Sequence, residues 1–312
     1  MAIVRAPNST ATAGTRGQNK EKGKDKTMDR RTFNAAAGLL ATGWATGSWA
    51  RNSWGFEQIE RDAGGRLGVA VLDTRTGRSG GHRLDERFPM CSTFKWLAAA
   101  LVLHRVDQGV ERLDRELPVS STDLVPHSPV TTEHVAAGRI TLAALCEATI
   151  TVSDNAAANL ILGTFGGPAG LTRHARTLGD TVTRLDRTEP ALNEARPGDP
   201  RDTTSPAAMA ATLKRVLLGD ALSARSKAQL TQWMRDTRTS GDRMRARLPA
   251  GWTAADKTGG GENGTTNDVG LLWPPSGDPI VLAVYYTGST APAATRNAVI
   301  AEVTAQVVQR LG

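Results

Sequence analysis

Apolar runs of strand length cluster near the two ends of this 312-residue chain, and that placement constrains the fold more than any other feature. Arg66-Leu-Gly-Val-Ala-Val-Leu-Asp73 reads as a buried strand ending at the Thr76-Gly77 turn, with a second strand expected near Gly81–Arg87. Thr253–Lys257, Asp268–Trp273 and Ile280–Thr287 read as three more. Residues Ser53–Asp62 and Ala293–Leu311 carry helical patterns, and the stretch from Ser92 to about Arg235 is Ala/Leu-rich with helical period. Strands from both ends must therefore meet in one sheet. The expected class is α/β (α+β): an antiparallel five-stranded sheet built from both chain ends and flanked by helices, with an inserted all-helical subdomain. The expected division is a leader over residues 1–50 and one domain over 51–312, its sheet part about 51–90 and 236–312, its helical part about 91–235.

The formal net charge is +7, but residues 1–50 hold eight Lys/Arg against three Asp/Glu, which leaves only +2 for the rest. The body thus shows no concentrated basic stripe for nucleic acid. Residues 1–27 are Gly/Thr/Lys-rich and aperiodic, and Met28 offers an alternative start. Asp29-Arg30-Arg31-Thr32-Phe33 precedes a small-residue, mildly apolar run from Ala35 to Ala50, the pattern of a twin-arginine export signal with a cut near Arg51. No other segment reaches the ~18 apolar residues that span a bilayer, so no membrane association is expected after cleavage. The five histidines show no close metal-ligand pairing, and neither metal nor cofactor is expected. Cys91 and Cys146 allow one disulfide or two buried thiols.

Four short motifs carry the chemistry: Ser92-Thr-Phe-Lys95, Ser153-Asp-Asn155, Glu189-Pro-Ala-Leu-Asn193 and Lys257-Thr-Gly259. With 15 serines and 8 lysines, one Ser-x-x-Lys arises by chance about 0.4 times in such a chain, so the weight lies in the joint occurrence. Lysine usage adds to it. Beyond residue 50 there are 26 arginines but four lysines, and two of the four, Lys95 and Lys257, fall in these motifs. Lysine can lose its proton in a desolvated pocket, whereas arginine stays charged.

Ser92 opens a helix whose body, Trp96 to Leu103, is apolar on every side, with Gly109 as its stop, and Lys95 follows one turn later on the same face. A serine cap with a snorkelling lysine would give the same pattern. Ser153, Asp154 and Asn155 are all residues that cap helices, yet Ser153 could pass a proton to a leaving nitrogen and Asn155 bind a substrate carbonyl. Glu189 lies in a long Pro/Gly/charge-rich loop running to Pro206, where it could act as base on a water held also by Asn193, or be a solvated acid. Arg187 and Asp202 could bracket that loop as an ion pair. At Lys257-Thr-Gly259, Thr258 could bind a carboxylate with Lys257 supplying field, while Gly260 allows a backbone N–H to face an oxyanion. Gly259-Gly-Gly-Glu-Asn-Gly264 matches a dinucleotide fingerprint, but a strand follows it, so it reads as a strand-connecting turn.

Over about Ser53 to Leu311 the chain resembles a class A serine β-lactamase, whose motif set is Ser-x-x-Lys, Ser-Asp-Asn and Lys-Thr-Gly. Pro89-Met-Cys-Ser-Thr-Phe-Lys95, Gly166-Gly-Pro-Ala-Gly-Leu171 and Gly198-Asp-Pro-Arg-Asp-Thr-Thr-Ser-Pro206 extend the likeness. The resemblance implies the serine β-lactamase/DD-peptidase-like fold and hydrolysis of penicillins and cephalosporins by a secreted monomer. Ser92 would form an acyl-enzyme, with the N–H groups of Ser92 and Gly260 as oxyanion hole. Glu189 would activate the deacylating water with Asn193, and Ser153 would protonate the lactam nitrogen. Either Lys95 or Glu189 is the acylation base. Lys257, Thr258, Gly259 and Arg243 would bind the substrate carboxylate end, and Asn155 its side-chain amide.

Several positions depart from the family pattern. His127 stands at a pocket-wall position that often holds an aromatic residue. Gly261 stands where carbapenem-hydrolysing members often carry a cysteine bonded to the partner of Cys91, and Ala99 stands opposite Cys146, so the resemblance supports free thiols. A penicillin-binding peptidase shares the nucleophile and lysine motifs, and a β-lactam sensor would stay acylated; the Glu189–Asn193 motif argues against both.

Overall fold

The computed structural model describes residues 54–311; the expected export signal and alternative start lie outside them. Along the chain run α1 (Phe56–Ala63), β1 (Arg66–Asp73), β2 (Ser79–His82), β3 (Phe88–Pro89), α2 (Phe94–Asp107), β4 (Glu116–Pro118), α3 (Pro129–His134), β5 (Arg139–Thr141), α4 (Leu142–Thr151), α5 (Asn155–Gly163), α6 (Gly167–Thr177), β6 (Thr203–Thr204), α7 (Pro206–Leu217), α8 (Ala224–Arg235), β7 (Thr253–Gly261), β8 (Thr265–Trp273), β9 (Ile280–Thr287) and α9 (Ala293–Leu311). The sheet has the order β2-β1-β9-β8-β7 and is antiparallel throughout. The β1–β9 pairing, from Arg66↔Thr287 to Asp73↔Ile280, joins the chain ends as the placement of the apolar runs requires.

Alternation along the strands feeds two cores. Leu67, Val69 and Val71 of β1 with Leu282, Val284 and Tyr286 of β9 pack on Phe56 of α1 and on Ile300, Val303 and Val307 of α9. Ala70, Val269, Leu271, Ala283 and Tyr285 face the other way, onto helices of the insertion. Gly68 on that second face has a steric reason: a Cβ there would lie 2.5 Å from Phe88 Cε2 and 2.8 Å from Pro206 Cγ. Every residue of α2 from Phe94 to Leu103 is buried, as an all-round apolar helix must be, and Lys95 is the one charged side chain among them. The helix ends at Asp107, just before Gly109 at φ 70°.

Where the strands begin and end differs from the sequence reading in several places, β8 among them, which begins at Thr265 rather than Asp268. The second strand ends at His82 rather than Arg87, because Arg83 turns out at φ 47° and pairs with both oxygens of Glu60 at 2.7 Å. Phe88–Pro89 instead pairs with Thr203–Thr204. Strand β7 runs through the Lys257-Thr-Gly259 motif to Gly261, so the connecting turn shrinks to Glu262–Gly264. The inserted region, mainly helical, also carries a short ribbon of β4 with β5. Cys91 and Cys146 are free, buried thiols, both pushed up by desolvation. Among the described residues no helix is long and apolar enough to cross a membrane.

Between α2 and α6 the rings of His104 and His174 lie 5.3 Å apart. Burial first, and the neighbouring His104 second, push His174 down from 6.5 to about 4. The unfolded chain takes up this proton below pH 6.5 while the folded chain resists it to about pH 4, so stability falls with pH across that window. The loss should be on the order of 3 kcal/mol at most. His174→Phe should flatten this part of the curve of unfolding free energy against pH, measured by urea titration from pH 7 to 4.

Candidate active site

Ser92 sits in a 3-10 turn (Cys91–Thr93) at the entry to α2, directly after Cys91, whose φ of 46° is a left-handed conformation that a non-glycine residue adopts at a cost. That turn aims the Ser92 hydroxyl at the loop carrying Glu189, and its Oγ donates to Glu189 Oε1 over 3.1 Å. One turn on, the fully buried Lys95 Nζ donates to Ser153 O (2.7 Å), Asn155 Oδ1 (2.6 Å) and Ser153 Oγ (3.3 Å), and pairs with Glu189 Oε1 at 3.1 Å. Desolvation holds its pKa below the ordinary lysine value against the opposing pull of Glu189. Lys95 is therefore a buried, coordinated ammonium, and the snorkelling alternative is excluded.

Ser153 lies between two lysines. Lys257 Nζ donates to its Oγ over 3.0 Å and to Thr258 O over 2.8 Å. Burial, then the charge of Lys95, push Lys257 well below the ordinary lysine range. Capping of α5 falls to Asp154, which accepts from Ala157 N and also binds Val130 N, Thr131 N and Thr131 Oγ1, all at 2.9 Å. Ser153, at φ 61°, is thereby free to face the site. Ser92, Glu189, Lys95, Ser153 and Lys257 form one unbroken line of proton-bearing groups.

Glu189 is 2% exposed, which removes the solvated-acid alternative. Its Oε2 accepts from Asn193 Nδ2, and Asn193 Oδ1 is buried with no hydrogen-bond partner. The backbone of Glu189 is anchored on α5 by Asn159, which accepts from Glu189 N and donates to Glu189 O, each at 2.9 Å. The bracket at the loop base joins a buried Asp202 to a half-buried Arg187: Arg187 Nε meets Asp202 Oδ2 at 2.6 Å, and Asp202 Oδ1 accepts from the N–H groups of Asp186 and Arg187.

The remaining candidates lie around these groups. Asn155 is already engaged at both ends, by Lys95 and by a 2.7 Å bond from its Nδ2 to Pro126 O. His127 is exposed at φ 64° with Nε2 against Val152 O at 2.8 Å. Thr258 Oγ1 lies 2.6 Å from Thr239 Oγ1. Arg243 Nε donates to Asn297 Oδ1 and its Nη1 to Gly259 O (2.8 Å) and Asn267 O (3.1 Å), while Nη2 comes within 3.9 Å of where a Cβ on Gly260 would stand. Gly259 has no room for a side chain, since a Cβ would lie 2.7 Å from Met90 O. Among the described residues no group of three or more His, Cys, Asp or Glu side chains is placed to hold a metal ion.

Asn159, Thr239 and Asn297 also reach these groups, and no motif marks them in the sequence. Asn159 carries the one available signal, a polar residue inside the otherwise apolar run Ala156–Leu162. Asn297 and Thr239 reach the site from α9 and from the segment after α8, which only the assembled fold brings near.

A family model described as the beta-lactamase enzyme family matches residues 55–311. A beta-lactamase from Streptomyces fradiae is 50% identical over 263 residues, covering 83% of this chain and 85% of that protein. Among solved structures, an ancestral class A beta-lactamase superposes with TM-score 0.81 at 60% identity, covering 82% of this chain and 98% of the other. A putative class A beta-lactamase, PenP, from Rhodopseudomonas palustris gives TM-score 0.80 at 57% identity, covering 82% and 97%.

Removing the Asn159 amide leaves a backbone N–H and C=O of Glu189 without partners. Asn159→Ala should therefore lower unfolding free energy by about 2–4 kcal/mol. Thermal and urea unfolding check this.

Proposed function

Since the chain belongs to the class A serine β-lactamases, hydrolases of the β-lactam amide tied to antibiotic resistance, we propose that it opens penicillins and cephalosporins through a Ser92 acyl-enzyme that water activated by Glu189 deacylates. The observation that carries this reading is the double engagement of Glu189: Oε1 accepts from Ser92 and Lys95, and Oε2 from an Asn193 whose own Oδ1 is buried and unsatisfied. An acceptor left over beside a carboxylate suits a water that donates to both.

In the first half-reaction Ser92 Oγ bonds to the lactam carbonyl carbon as its proton passes to the Glu189–Lys95 pair. The N–H groups of Ser92 and Gly260 hold the oxyanion, a contribution of about 2.7–4 kcal/mol per donor. The C–N bond then breaks, and Ser153 gives its proton to the departing nitrogen and regains one along the lysine line. In the second, Glu189 takes a proton from water as the water oxygen bonds to the acyl carbon, and Ser92 leaves with a proton. Thr258 and Arg243 Nη2 receive the substrate carboxylate beside Gly259 and Lys257, and Asn155 and His127 border the side-chain end. The proposal includes export through Arg30 and Arg31 and action as a monomer. Supporting the latter, Val110 and Leu218 are the large apolar side chains exposed among the described residues.

Glu189→Gln should keep acylation and slow turnover of a chromogenic cephalosporin by about 10²- to 10⁴-fold. Intact-mass spectra should show a persistent adduct on Ser92 in the variant alone; an adduct on the unaltered protein without turnover would sink the reading. Changing Arg30 and Arg31 together to lysine should retain the protein inside the cell, read by fractionation.

A further inference from the structure

The β7–β8 turn is seated on the sheet by one side and grips the Glu189 loop by the other. Asn263 takes a left-handed φ of 52°, a conformation asparagine tolerates better than most residues. Its carbonyl accepts from Gly288 N at 2.7 Å, just past β9. The neighbouring Gly264 is pressed against Ser289, whose O would stand 1.9 Å from any added Cβ. On its other side the turn reaches the 3-10 helix Ala191–Glu194. Glu262 N donates to Asn193 O at 2.9 Å, and Asn263 Nδ2 donates to both Glu194 O and Ala195 O at 3.1 Å.

The gripped end is a place that needs holding. Ala195 closes the 3-10 helix at φ 47°, a left-handed conformation that costs an alanine on the order of 1–3 kcal/mol. Glu194 pairs with Arg187 and Arg196 inside the same loop, so those bonds do not tie it to the sheet. One residue earlier stands Asn193, with its carboxamide split between Glu189 and an unfilled acceptor. Glu189 itself has separate anchors in Asn159 and Lys95.

We infer that Asn263 is a positioning residue for deacylation: its amide clasps the end of the 3-10 helix and so fixes the Asn193 carboxamide against Glu189 at the spacing the hydrolytic water requires. Acylation, which uses Ser92, Lys95 and the independently anchored Glu189, does not depend on the clasp. The inference rests on the roles proposed above for Glu189 and Asn193.

Two variants test it. Asn263→Gly keeps the left-handed backbone without strain and deletes the amide, and Asn263→Asp keeps the shape but sets an acceptor against two carbonyl oxygens. Acylation and deacylation of a chromogenic cephalosporin are timed separately by quenched-flow intact mass, alongside Tm. Deacylation should slow at least about fivefold in both, the factor for roughly one net hydrogen bond, with acylation within about twofold. kcat and KM should then fall together, with Tm of the glycine variant within about 3 °C of the unaltered protein. Unchanged deacylation in both variants, or acylation and deacylation falling in parallel with Tm, would overturn the inference. Glu189→Gln run alongside separates the two levels. If it traps no adduct the underlying roles fail, and if it traps one while both Asn263 variants deacylate normally, only the clasp fails.

Discussion

An ammonium group with no exposure to solvent, that of Lys95, dictates how the rest of this structure is arranged. Moving such a charge out of water is tolerable only where acceptors replace the lost hydration. Here they are Ser153 O, Asn155 Oδ1 and Glu189 Oε1, supplied from two segments 58–94 residues further along the chain. A second buried ammonium, Lys257, arrives from the sheet and shares Ser153 Oγ. Burial first, and the charge of Lys95 second, take Lys257 well below its ordinary range. The helical insertion, the Glu189 loop and the sheet edge meet where they do because these two lysines need what each of them carries.

Strain at the centre is the other side of that arrangement. Cys91, Ser153 and Asp202 all hold left-handed backbone conformations, and Asn193 Oδ1 is buried without a hydrogen-bond partner. Stability comes from elsewhere: two cores on opposite faces of the sheet, the half-buried Arg187–Asp202 bracket and the capping of α5 by Asp154. A site with two buried lysines beside a buried carboxylate contributes little to stability, and pKa values shifted in this way cluster where proton transfer takes place.

Much of this was legible from residues alone because the physics involved is local or compositional. Strand period marked β1 and β9, the all-apolar run after Lys95 marked α2 as central, and the scarcity of lysine pointed to Lys95 and Lys257. What escaped depends on approach between distant backbones. β7 continues to Gly261 because Gly259 and Gly261 let it slide past Met90 O and Asn193 O, a fact that neither glycine declares by itself. The second strand stops at His82 because Arg83 finds Glu60 on the neighbouring α1. The sequence pattern offers Asn155 as a substrate contact, yet its amide already serves Lys95 and Pro126, so any substrate must share it. Asn159 and Asn263 act through backbone carbonyls, and a carbonyl leaves no trace in the sequence.

The scarcity of lysine also bears on how the protein survives its own substrate. A strained lactam acylates free amines as well as serine hydroxyls, whereas a guanidinium stays protonated and is no nucleophile. Over residues 54–311 the amines outside the site belong to Lys214 on α7 and to Lys227 on α8, whose Nζ is already bound to Gly219 O at 2.8 Å. Carrying its charge on arginine leaves residues 54–311 with only those two amines outside the lysine pair for a lactam to acylate.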